Sequence, residues 1–450
     1  MLLQVVISNF RSFRDEVVLN LAPAKSRLMK DHIITSDQGK SVSVLPLAAI
    51  YGANASGKSN LIKAVYFAKN LIINGTSPDE SIDLTPFALD TEYEKLPTKI
   101  EFVIKIDNIL YTYGFLATAQ SIKEEWLFAY FSNKESKIFE RVSNNDESVT
   151  VIPGDRLIEN LGDKKFIEYI ARGTRPNQLF INEANNKNVS IIKPLWDWFK
   201  NSLRIIFPNS NYMNLVTKAH SDSEFLRHLE AILKAAGTGV DGLHCKKTPI
   251  SNSELLNDAP KKFINEIKSE LQKKKNYSAY IRKGLSTYNI RLSSNNELES
   301  YSLMTIHKRK NGTDAQFDTA EESDGTLRLM HLAPMLRNSE SSETVYFIDE
   351  IDRSLHPHIS KLFIQIIIES IKNKKIKNQF ILTTHDTNLL DRKLLRRDEI
   401  WFIEKSSHGA SHLTSLAEYH VTEGLSYQNG YLNGRFGGIP FVGDAKALIK

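Results

Sequence analysis

Cysteine is nearly absent from this chain: of its 450 residues only Cys245 carries a thiol, so a disulfide within the chain is excluded. Long apolar runs are absent too, since no stretch approaches the roughly 18 apolar residues of a membrane-spanning helix. The opening stretch, MLLQVVISNFRSF, lacks the basic region and the long apolar core of a secretory signal peptide. These absences predict a soluble, cytoplasmic protein without a membrane anchor.

A strong excess of one charge is also lacking. Lysine and arginine together number 58 and aspartate and glutamate 53, which gives a formal net charge of +5. This mild basic balance permits a nucleic-acid or an acidic protein partner without favouring either. The basic runs at 273–275 and 372–377 are expected to be solvated helix faces rather than nucleic-acid contacts. Internal repeats are absent as well, and the length predicts about three domains.

What is present begins with a glycine-rich stretch at 49–64, AIYGANASGKSNLIKA. It fits the spacing Gly-x-x-x-x-Gly-Lys-Ser, follows a strand-like apolar run and precedes a helix-like run, which is the context of a phosphate-binding P-loop. A glycine-rich turn without a ligand is the weaker alternative, because spacing and context agree. We therefore assign nucleotide binding to the following residues: Gly52, Asn54, Ser56, Gly57, Lys58, Ser59 and Asn60.

The residue types of this loop suit a bound triphosphate. Small residues let backbone N–H groups turn inward around phosphate oxygens, and the following helix directs its positive N-terminal end to the same anion. Lys58 can reach the β- and γ-phosphates, and the hydroxyl of Ser59 can ligate Mg²⁺. The loop therefore predicts ATP and Mg²⁺ as cofactors.

A second candidate element ends an apolar strand far along the chain, ETVYFIDEID. Asp349 and Glu350 follow that strand directly, as expected where one carboxylate holds Mg²⁺ and the next activates water. A buried strand that meets a solvated acidic turn is the alternative, and the P-loop in the same chain weakens it. We assign Asp349 to the magnesium, together with Ser59, and Glu350 to catalysis.

His385 ends a further apolar strand, in QFILTTHDTNLL. Ligands of α/β proteins bind at the carboxyl ends of such strands, so this imidazole can meet the γ-phosphate. A satisfied polar side chain is the simpler interpretation of the residue by itself. Its catalytic assignment therefore depends on the other motifs.

Ser323 and Gly325 stand just before an apolar helical run, in EESDGTLRLMHLAPML. A helix that begins in this way offers an anion site, but the P-loop already surrounds the phosphates of its own chain. The pair is therefore more useful facing the nucleotide of a second subunit. On this stretch alone an ordinary N-cap is the simpler interpretation, with Ser323 capping and Gly325 relieving strain.

Apolar periodicity predicts several elements around these motifs. LLQVVISNF and EVVLNLA are typical of a β-hairpin, and TKIEFVIKI and NILYTYGFLAT of half-buried antiparallel strands. SEFLRHLEAILKAAG and APKKFINEIKSELQKKK are typical of amphipathic helices, the first of which stops at Gly237. The predicted apolar faces contain Phe225, Leu226, Leu229, Ile232 and Leu233 in the first helix and Phe263, Ile264, Ile267 and Leu271 in the second.

Together the motifs resemble those of a known group of ATPases. The order P-loop, ESDGT, FIDEID, LTTHD is similar to the ATP-binding-cassette (ABC) heads of structural-maintenance-of-chromosomes (SMC) and RecF-like ATPases. More closely, ISNFRSF, YGANASGKSN, ESDGTLRL and FIDEIDRSLHP resemble the AAA15, or OLD-like, ATPases of bacterial anti-phage systems. Asp324 departs from the pattern, because it occupies the place of the first glycine of the usual signature motif.

The resemblance implies an α/β fold, a bipartite ABC-type ATPase head with a mixed sheet around the P-loop, an antiparallel lobe and an inserted, mainly helical arm. The corresponding domains are 1–135 for the N-terminal lobe with the P-loop, 136–300 for the inserted mixed or helical arm, and 301–450 for the C-terminal lobe and tail.

The resemblance also implies a homo-oligomer built on head-to-head dimers, with ATP sandwiched between two subunits. In that assembly Ser323 and Gly325 match the signature residues that touch the partner's nucleotide, and Asp349 matches the magnesium-associated carboxylate. Glu350 matches the catalytic base and His385 the switch histidine. The segment IDRSLHPHIS matches the subunit-contacting D-loop rather than a dedicated metal site.

Three functions remain open at this point. The resemblance favours an ATPase subunit of a two-component anti-phage, abortive-infection system. This subunit would hold a separate effector, expected to be a Toprim-type nuclease, and release it in response to a phage-derived trigger. A RecF- or SMC-like ATPase that acts on DNA in repair or recombination is the second, and direct DNA binding is possible without being required by the first. A nucleotide-gated scaffold with negligible turnover is the third.

The last recognisable stretch, YQNGYLNGRFGGIPFVG, combines aromatic residues and glycines around Arg435. It resembles the tails of defence ATPases encoded beside a separate effector, including the RloA/AbiL-type proteins and AriA of the PARIS system. We predict an effector-docking surface with aromatic anchors at Tyr427, Tyr431, Phe436 and Phe441. A loop packed on its own head is an equal alternative.

Overall fold

The computed structural model describes residues 1–26, 28–36, 41–131, 134–144, 148–212, 214–250, 260–273, 278–283, 286–293, 295–337, 343–373, 377–421 and 424–439. Three sets of residues with sequence-based predictions lie outside the described residues: Phe441, Lys274 with Lys275, and 374–376. Within the described ranges, no helix combines the length and the apolar content needed to cross a membrane.

The chain forms two compact units. The first contains Met1–Pro208, Glu340–Asp352 and Ile367–Lys450, and the second contains Asn209–Ser339 and Arg353–Ile366. The predicted domains divide the chain at other points, after residues 135 and 300, and that division stays a prediction.

The regular elements of the described chain are numbered in chain order. The strands are β1 Leu2–Ser8, β2 Val17–Asn20, β3 Ile34–Ser36, β4 Val42–Val44, β5 Leu47–Tyr51, β6 Thr98–Ile106, β7 Ile109–Ala117, β8 Ile122–Tyr130, β9 Ser136–Ser143, β10 Val149–Pro153, β11 Leu203–Ile206, β12 Gly242–Pro249, β13 Ala279–Lys283, β14 Ser286–Leu292, β15 Leu298–Lys308, β16 Asp314–Asp318, β17 Val345–Ile348, β18 Gln379–Thr383, β19 Ile400–Lys405 and β20 Ser411–Ser415. The α-helices are α1 Lys58–Asn74, α2 Asp155–Leu161, α3 Lys164–Gly173, α4 Phe180–Asn186, α5 Lys193–Asp197, α6 Leu215–Ser221, α7 Ser223–Ala235, α8 Lys261–Lys273, α9 Asp324–Leu332, α10 Pro357–Lys372 and α11 Tyr427–Leu432.

Seven strands of the first unit form an antiparallel sheet in the order β10-β9-β8-β7-β6-β1-β2. Alternate residues of β6 face the core, because Ile100, Phe102 and Ile104 are fully buried. The predicted hairpin of β1 with β2 is confirmed. The predicted antiparallel strands β6 and β7 are confirmed too, and they pair with each other. This sheet is the predicted antiparallel lobe.

The second sheet of the first unit is mixed, in the order β11-β17-β18-β5-β19-β20. Neighbouring strands from β11 to β19 are parallel, and β20 is antiparallel to β19. Both β5 and β18 are buried along their whole lengths, as expected for parallel strands that are covered on both faces. The P-loop therefore follows a central strand, as the predicted α/β fold requires.

Helix α1 belongs to the same buried cluster as both sheets. The cluster contains Leu61 and Val65 of the helix, Ile50 of β5 and Phe102 of β6. The helix is followed by Gly75, whose φ of 67° lies in the left-handed region that glycine adopts without strain. Packing on two sheets holds the first turn of α1 at the carboxyl end of β5.

The second unit combines helices with the sheet β12-β15-β14-β13, to which β16 is attached through β15. Helix α7 is confirmed, with Phe225, Leu229, Ile232 and Leu233 buried. In α8, by contrast, Phe263 is 45% exposed. Strands β12 to β14 lie within the segment predicted as a mainly helical arm, together with the predicted helices α7 and α8.

Candidate functional site

Three neighbouring parallel strands end at one edge of the mixed sheet. The strands are β17, β18 and β5, and the residues that follow them are Asp349, Thr384 and Gly52. Carboxyl ends of parallel strands are where α/β sheets bind ligands. The topology therefore brings the P-loop, the acidic pair and the His385 loop together, although almost 300 residues separate the first from the second in the chain.

The P-loop is held in a path that depends on its glycines. Gly57 has a φ of 120°, which residues other than glycine rarely adopt, and a Cβ atom there would lie 2.9 Å from the Oγ of Ser12. The Ser411 hydroxyl donates to the Ser56 carbonyl at 2.5 Å, and the Asn60 amide donates to the Ser12 hydroxyl at 2.8 Å. The loop is thus fixed from outside by serines on two other segments.

Lys58 of the P-loop is buried, with 6% of its surface exposed. Its Nζ donates to the carbonyl oxygens of Gly52 at 2.7 Å and Ala53 at 2.9 Å. Burial lowers the pKa of Lys58 to about 8, and the nearby carboxylates, Asp349 first, act in the opposite direction. The ammonium is therefore held within the loop at neutral pH, in the place from which it can meet phosphate oxygens.

Ser59, Asp349 and Thr383 form a hydrogen-bonded cluster. The Ser59 hydroxyl donates to Oδ1 of Asp349 at 3.1 Å, and the Thr383 hydroxyl donates to the same oxygen at 2.7 Å. Asp349 is 3% exposed. A hydroxyl beside a buried carboxylate is a donor set that Mg²⁺ accepts when water and phosphate oxygens complete its shell, so these residues fit a nucleotide-bound magnesium.

Glu350 is half-buried and adopts an unusual backbone conformation, with a φ of 50°. Its N–H donates to the Thr383 hydroxyl at 2.8 Å, which ties the residue to the neighbouring strand. A left-handed conformation costs a non-glycine residue about 1 kcal/mol, and such residues cluster at functional sites. The Thr383 hydroxyl therefore holds both members of the acidic pair. It donates to the side chain of Asp349 and accepts from the backbone N–H of Glu350.

His385 follows β18 on the adjacent strand end. Its backbone N–H donates to Oδ2 of Asp352 at 3.1 Å. Its pKa is lowered, first by reduced hydration and then by the positive charge of Lys58, against the pull of the neighbouring carboxylates. The imidazole is therefore mostly neutral at pH 7 and can donate or accept a hydrogen bond.

Ser323 and Gly325 belong to the second unit, whereas the assigned P-loop residues, Asp349, Glu350 and His385 belong to the first. Ser323 is exposed and caps α9, since its Oγ accepts from the N–H of Thr326 at 3.2 Å. A Cβ atom on Gly325 would lie 2.6 Å from the carbonyl oxygen of Ser354. The predicted cap at Ser323 is confirmed. Gly325 does not have a positive φ, so close packing against Ser354 rather than relief of backbone strain accounts for the glycine. The contact with a partner's nucleotide stays a prediction.

Sequence reasoning missed three residues that support the site: Ser12, Thr383 and Ser411. Thr383 carried a usable signal, since a hydroxyl residue ends the predicted apolar strand just before His385. Ser12 and Ser411 carried none, because they meet the P-loop only through the fold; Ser411 is 355 residues from Ser56. Asp352 lies in the segment that the sequence analysis assigns to the D-loop, and its carboxylate accepts from the backbone N–H of His385.

The described part of the C-terminal stretch belongs to the first unit and packs on its mixed sheet. Tyr431 and Phe436 are buried, at 7% and 2% exposed, and both rings stack on Phe402 of β19. The prediction that these two aromatic residues are anchors for a partner is therefore wrong, because the chain's own mixed sheet covers them. Arg435 is exposed and Tyr427 is half-buried.

Two solved structures illustrate the comparison with known folds. One is the SMC head domain from Thermotoga maritima, with 13% identity and a TM-score of 0.39 over 93% of this chain and 99% of that chain. Another is the Smc head domain with an extended coiled coil bound to the C-terminal domain of ScpA, derived from Pyrococcus furiosus, with 13% identity and a TM-score of 0.35 over 96% of this chain and 98% of that chain. Curated proteins give no match.

A protein-family model matches residues 47–391. It is described as AAA domain, putative AbiEii toxin, Type IV TA system. The matched range contains the P-loop, the Asp349–Glu350 pair and His385, which are the residues that the fold gathers at one sheet edge. The chain belongs to this family of AAA domains.

Proposed function

We propose that this chain binds ATP with Mg²⁺ and hydrolyses it. The observation that carries the proposal is the cluster of Ser59, Asp349 and Thr383, because it joins the P-loop to the acidic strand end in a donor set that suits magnesium. Bound Mg²⁺ would neutralise charge on the β- and γ-phosphates. Membership of the AAA-domain family supports the same activity.

Each residue of the site has a separate part in this proposal. The N–H groups of the P-loop surround the phosphates, and Lys58 adds a positive charge beside them. Glu350 holds the attacking water and accepts its proton at the carboxylate. The neutral ring of His385 orients the terminal phosphate by a hydrogen bond, while Asp352 holds the backbone of that loop.

Two substitutions separate binding from hydrolysis. Lys58→Ala should lose ATP binding, whereas Glu350→Gln should keep it and slow phosphate release by roughly 10²- to 10⁴-fold. Binding is measured by titration with a fluorescent ATP analogue, and turnover by phosphate release. Glu369→Gln, an exposed glutamate of α10, is the matched control and should behave as the wild type.

The same measurements distinguish the competing functions. Equal phosphate release from the wild type and Glu350→Gln would contradict the assignment of the base. Tight binding with almost no release from the wild type would favour the nucleotide-gated scaffold.

We further propose that two chains pair head to head, with Ser323 and Gly325 of each chain facing the nucleotide of the other, and that the pair controls a separate effector. The exposed position of Ser323 at the start of α9 suits the first part. The words toxin and TA system in the family description support the second, because a toxin–antitoxin system has two components. In this proposal the effector is a nuclease, and a phage-derived protein triggers its release in the cytoplasm.

The effector is sought among the products of neighbouring genes. Wild-type chain should retain one of them on an affinity column, and Arg435→Glu should weaken that retention if the exposed tail contributes to docking. Lys58→Ala tests whether retention depends on nucleotide. Cleavage of nucleic acid by the purified chain alone would contradict the two-component proposal, and ATP-dependent binding of duplex DNA without any retained partner would favour the RecF-like alternative.

A further inference from the structure

The last described residues of the chain, Leu425–Ile439, are here called the C-terminal segment. They approach the P-loop closely, because a Cβ atom on Gly438 would lie 3.5 Å from the Cα of Gly52, the first P-loop glycine. It would also lie 3.5 Å from the carbonyl oxygen of Ile403 in β19. The segment therefore packs directly against the P-loop.

The path of the C-terminal segment beside the P-loop is fixed by several bonds. The Tyr431 hydroxyl donates to the Gly438 carbonyl at 2.9 Å, and the Gly438 N–H donates to Oε2 of Glu404 at 3.3 Å. The Tyr431 ring lies 5.9 Å from the ring of Tyr51, the residue directly before the P-loop. Gly438 has a φ of 70°, so a side chain there would be strained as well as close to Gly52.

The same segment also reaches the second loop of the site. Nε2 of Gln428, in α11, donates to the hydroxyl of Thr387 at 3.2 Å. Thr387 lies two residues after His385, in a turn capped by Asp386, whose carboxylate accepts from the N–H of Asn388 at 3.0 Å. One short stretch of chain is thus bonded to the His385 loop and packed on the P-loop.

We infer that the C-terminal segment positions the nucleotide site, with Gly438 acting through Gly52 and Gln428 acting through Thr387. The inference rests on the proposed ATPase function and adds residues that position its site. One side of the segment faces solvent, since Leu432 is 57% exposed and Arg435 is exposed.

The contact with the P-loop is tested by valine at two glycines. Gly438 and Gly424 both have positive φ, 70° and 95°, but a Cβ atom on Gly424 has no described neighbour within 4 Å. Gly438→Val should weaken binding of a fluorescent ATP analogue by about tenfold, and Gly424→Val should stay within about twofold of the wild type. Equal affinities for the two variants would overturn this half of the inference.

The contact with the His385 loop is tested by a double-mutant cycle. Gln428→Ala and Thr387→Val should each lower kcat about fivefold with KM for ATP nearly unchanged, and the double variant should be no worse than either. Thr387→Ser keeps the hydroxyl and should restore kcat, while Leu432→Ala on the same helix should have no effect. Additive losses, or an unchanged kcat, would overturn this half.

These outcomes are separate from those of the proposed function. If the wild type neither binds nor hydrolyses ATP, the proposed function fails; if the wild type is active and the segment variants match their controls, only the inference fails. Circular dichroism identifies a Gly438→Val chain that does not fold, in which case the cycle at Gln428 and Thr387 decides.

Discussion

Lys58 combines a fixed position with a pKa close to neutrality. Burial lowers its pKa to about 8, so the folded chain loses this proton at a lower pH than the unfolded chain does. In the nucleotide-free chain, the contribution of Lys58 to stability therefore rises as the pH increases from about 8 towards 10.5, the ordinary pKa of a lysine side chain. Phosphate binding has the opposite requirement, because it needs the ammonium.

Affinity for ATP should accordingly fall as the pH rises above about 8, approaching tenfold per pH unit. Titrations with a fluorescent ATP analogue between about pH 7 and pH 9.5 measure this. Lys69 is the matched control, since it lies on the same helix, has a pKa lowered by burial to about 8 and donates to the Leu203 carbonyl rather than to the P-loop. Lys69→Met should keep the pH dependence, and a flat profile in the wild type would contradict the role of Lys58.

The position of a binding loop can be predicted from sequence where a chemical requirement fixes the spacing of its residues. The P-loop is such a case, because glycines, a lysine and a hydroxyl must follow one another around a phosphate. Thr383 and Ser411 were not predictable to the same degree, since their contribution depends on which strands become neighbours. A local pattern contains no information about a hydrogen bond such as that from Ser411 to Ser56, 355 residues away.

At the scale of elements, α4 is attached to the antiparallel sheet through a buried carboxylate. Glu125 of β8 accepts from the N–H groups of Phe180 at 2.5 Å and Ile181 at 3.1 Å, in the first turn of α4, and from the Tyr113 hydroxyl at 3.0 Å. Burial raises the pKa of Glu125 to about 7, although Arg141, its neighbour in β9, acts in the opposite direction. The start of the helix is therefore bonded to a group that titrates near neutral pH.

A raised carboxyl pKa means that the folded state holds a proton which the unfolded state has released. Between about pH 4.5 and pH 7 the free energy of unfolding should thus fall as the pH rises, by the contribution of Glu125. Glu125→Gln should remove this contribution and, by losing one acceptor, cost about 1 kcal/mol of stability. Urea denaturation midpoints at several pH values measure both effects. Glu124→Gln, at the exposed neighbouring position, should leave the pH dependence unchanged, and a Glu125→Gln chain with wild-type pH dependence would contradict the assignment.

Elements with a clear apolar period were predicted well, and their burial less well. The pattern of α8 fixes a helix, but Phe263 on the predicted apolar face is 45% exposed. Periodicity reports which residues share a face; it does not report how far a neighbouring element extends over that face. The buried Glu125 was not predicted for a related reason, because the sheet pairing and α4 supply its partners only after folding.

At the scale of the whole molecule, the proposed head-to-head pair depends on α9. Ser323→Arg should leave ATP binding by a single chain intact but prevent ATP-dependent pairing, because a bulky side chain would stand where the partner's nucleotide is expected. Mass photometry with ATP, in a Glu350→Gln background that preserves the nucleotide, measures the pairing. Ser323→Ala removes the cap, at a cost of about 1 kcal/mol, and the hydroxyl, but adds no bulk, so it should weaken pairing less than Ser323→Arg does. An unchanged mass distribution for Ser323→Arg would leave Ser323 with its capping role alone.

The place of β5 in the mixed sheet has a consequence for how the protein is made. β5 is complete at Tyr51, whereas its neighbours β18 and β19 begin at Gln379 and Ile400. At a synthesis rate of about 5–20 residues per second, roughly 20 to 70 s pass between the P-loop and the strand that completes its second side. Until β18 and β19 are made, the apolar strand β5 lacks both of its neighbours in the sheet. The growing chain is therefore exposed to aggregation and to capture by chaperones. The proposed nucleotide site cannot be assembled before these late residues are made, because Asp349 lies 290 residues after Ser59 in the chain and His385 lies later still.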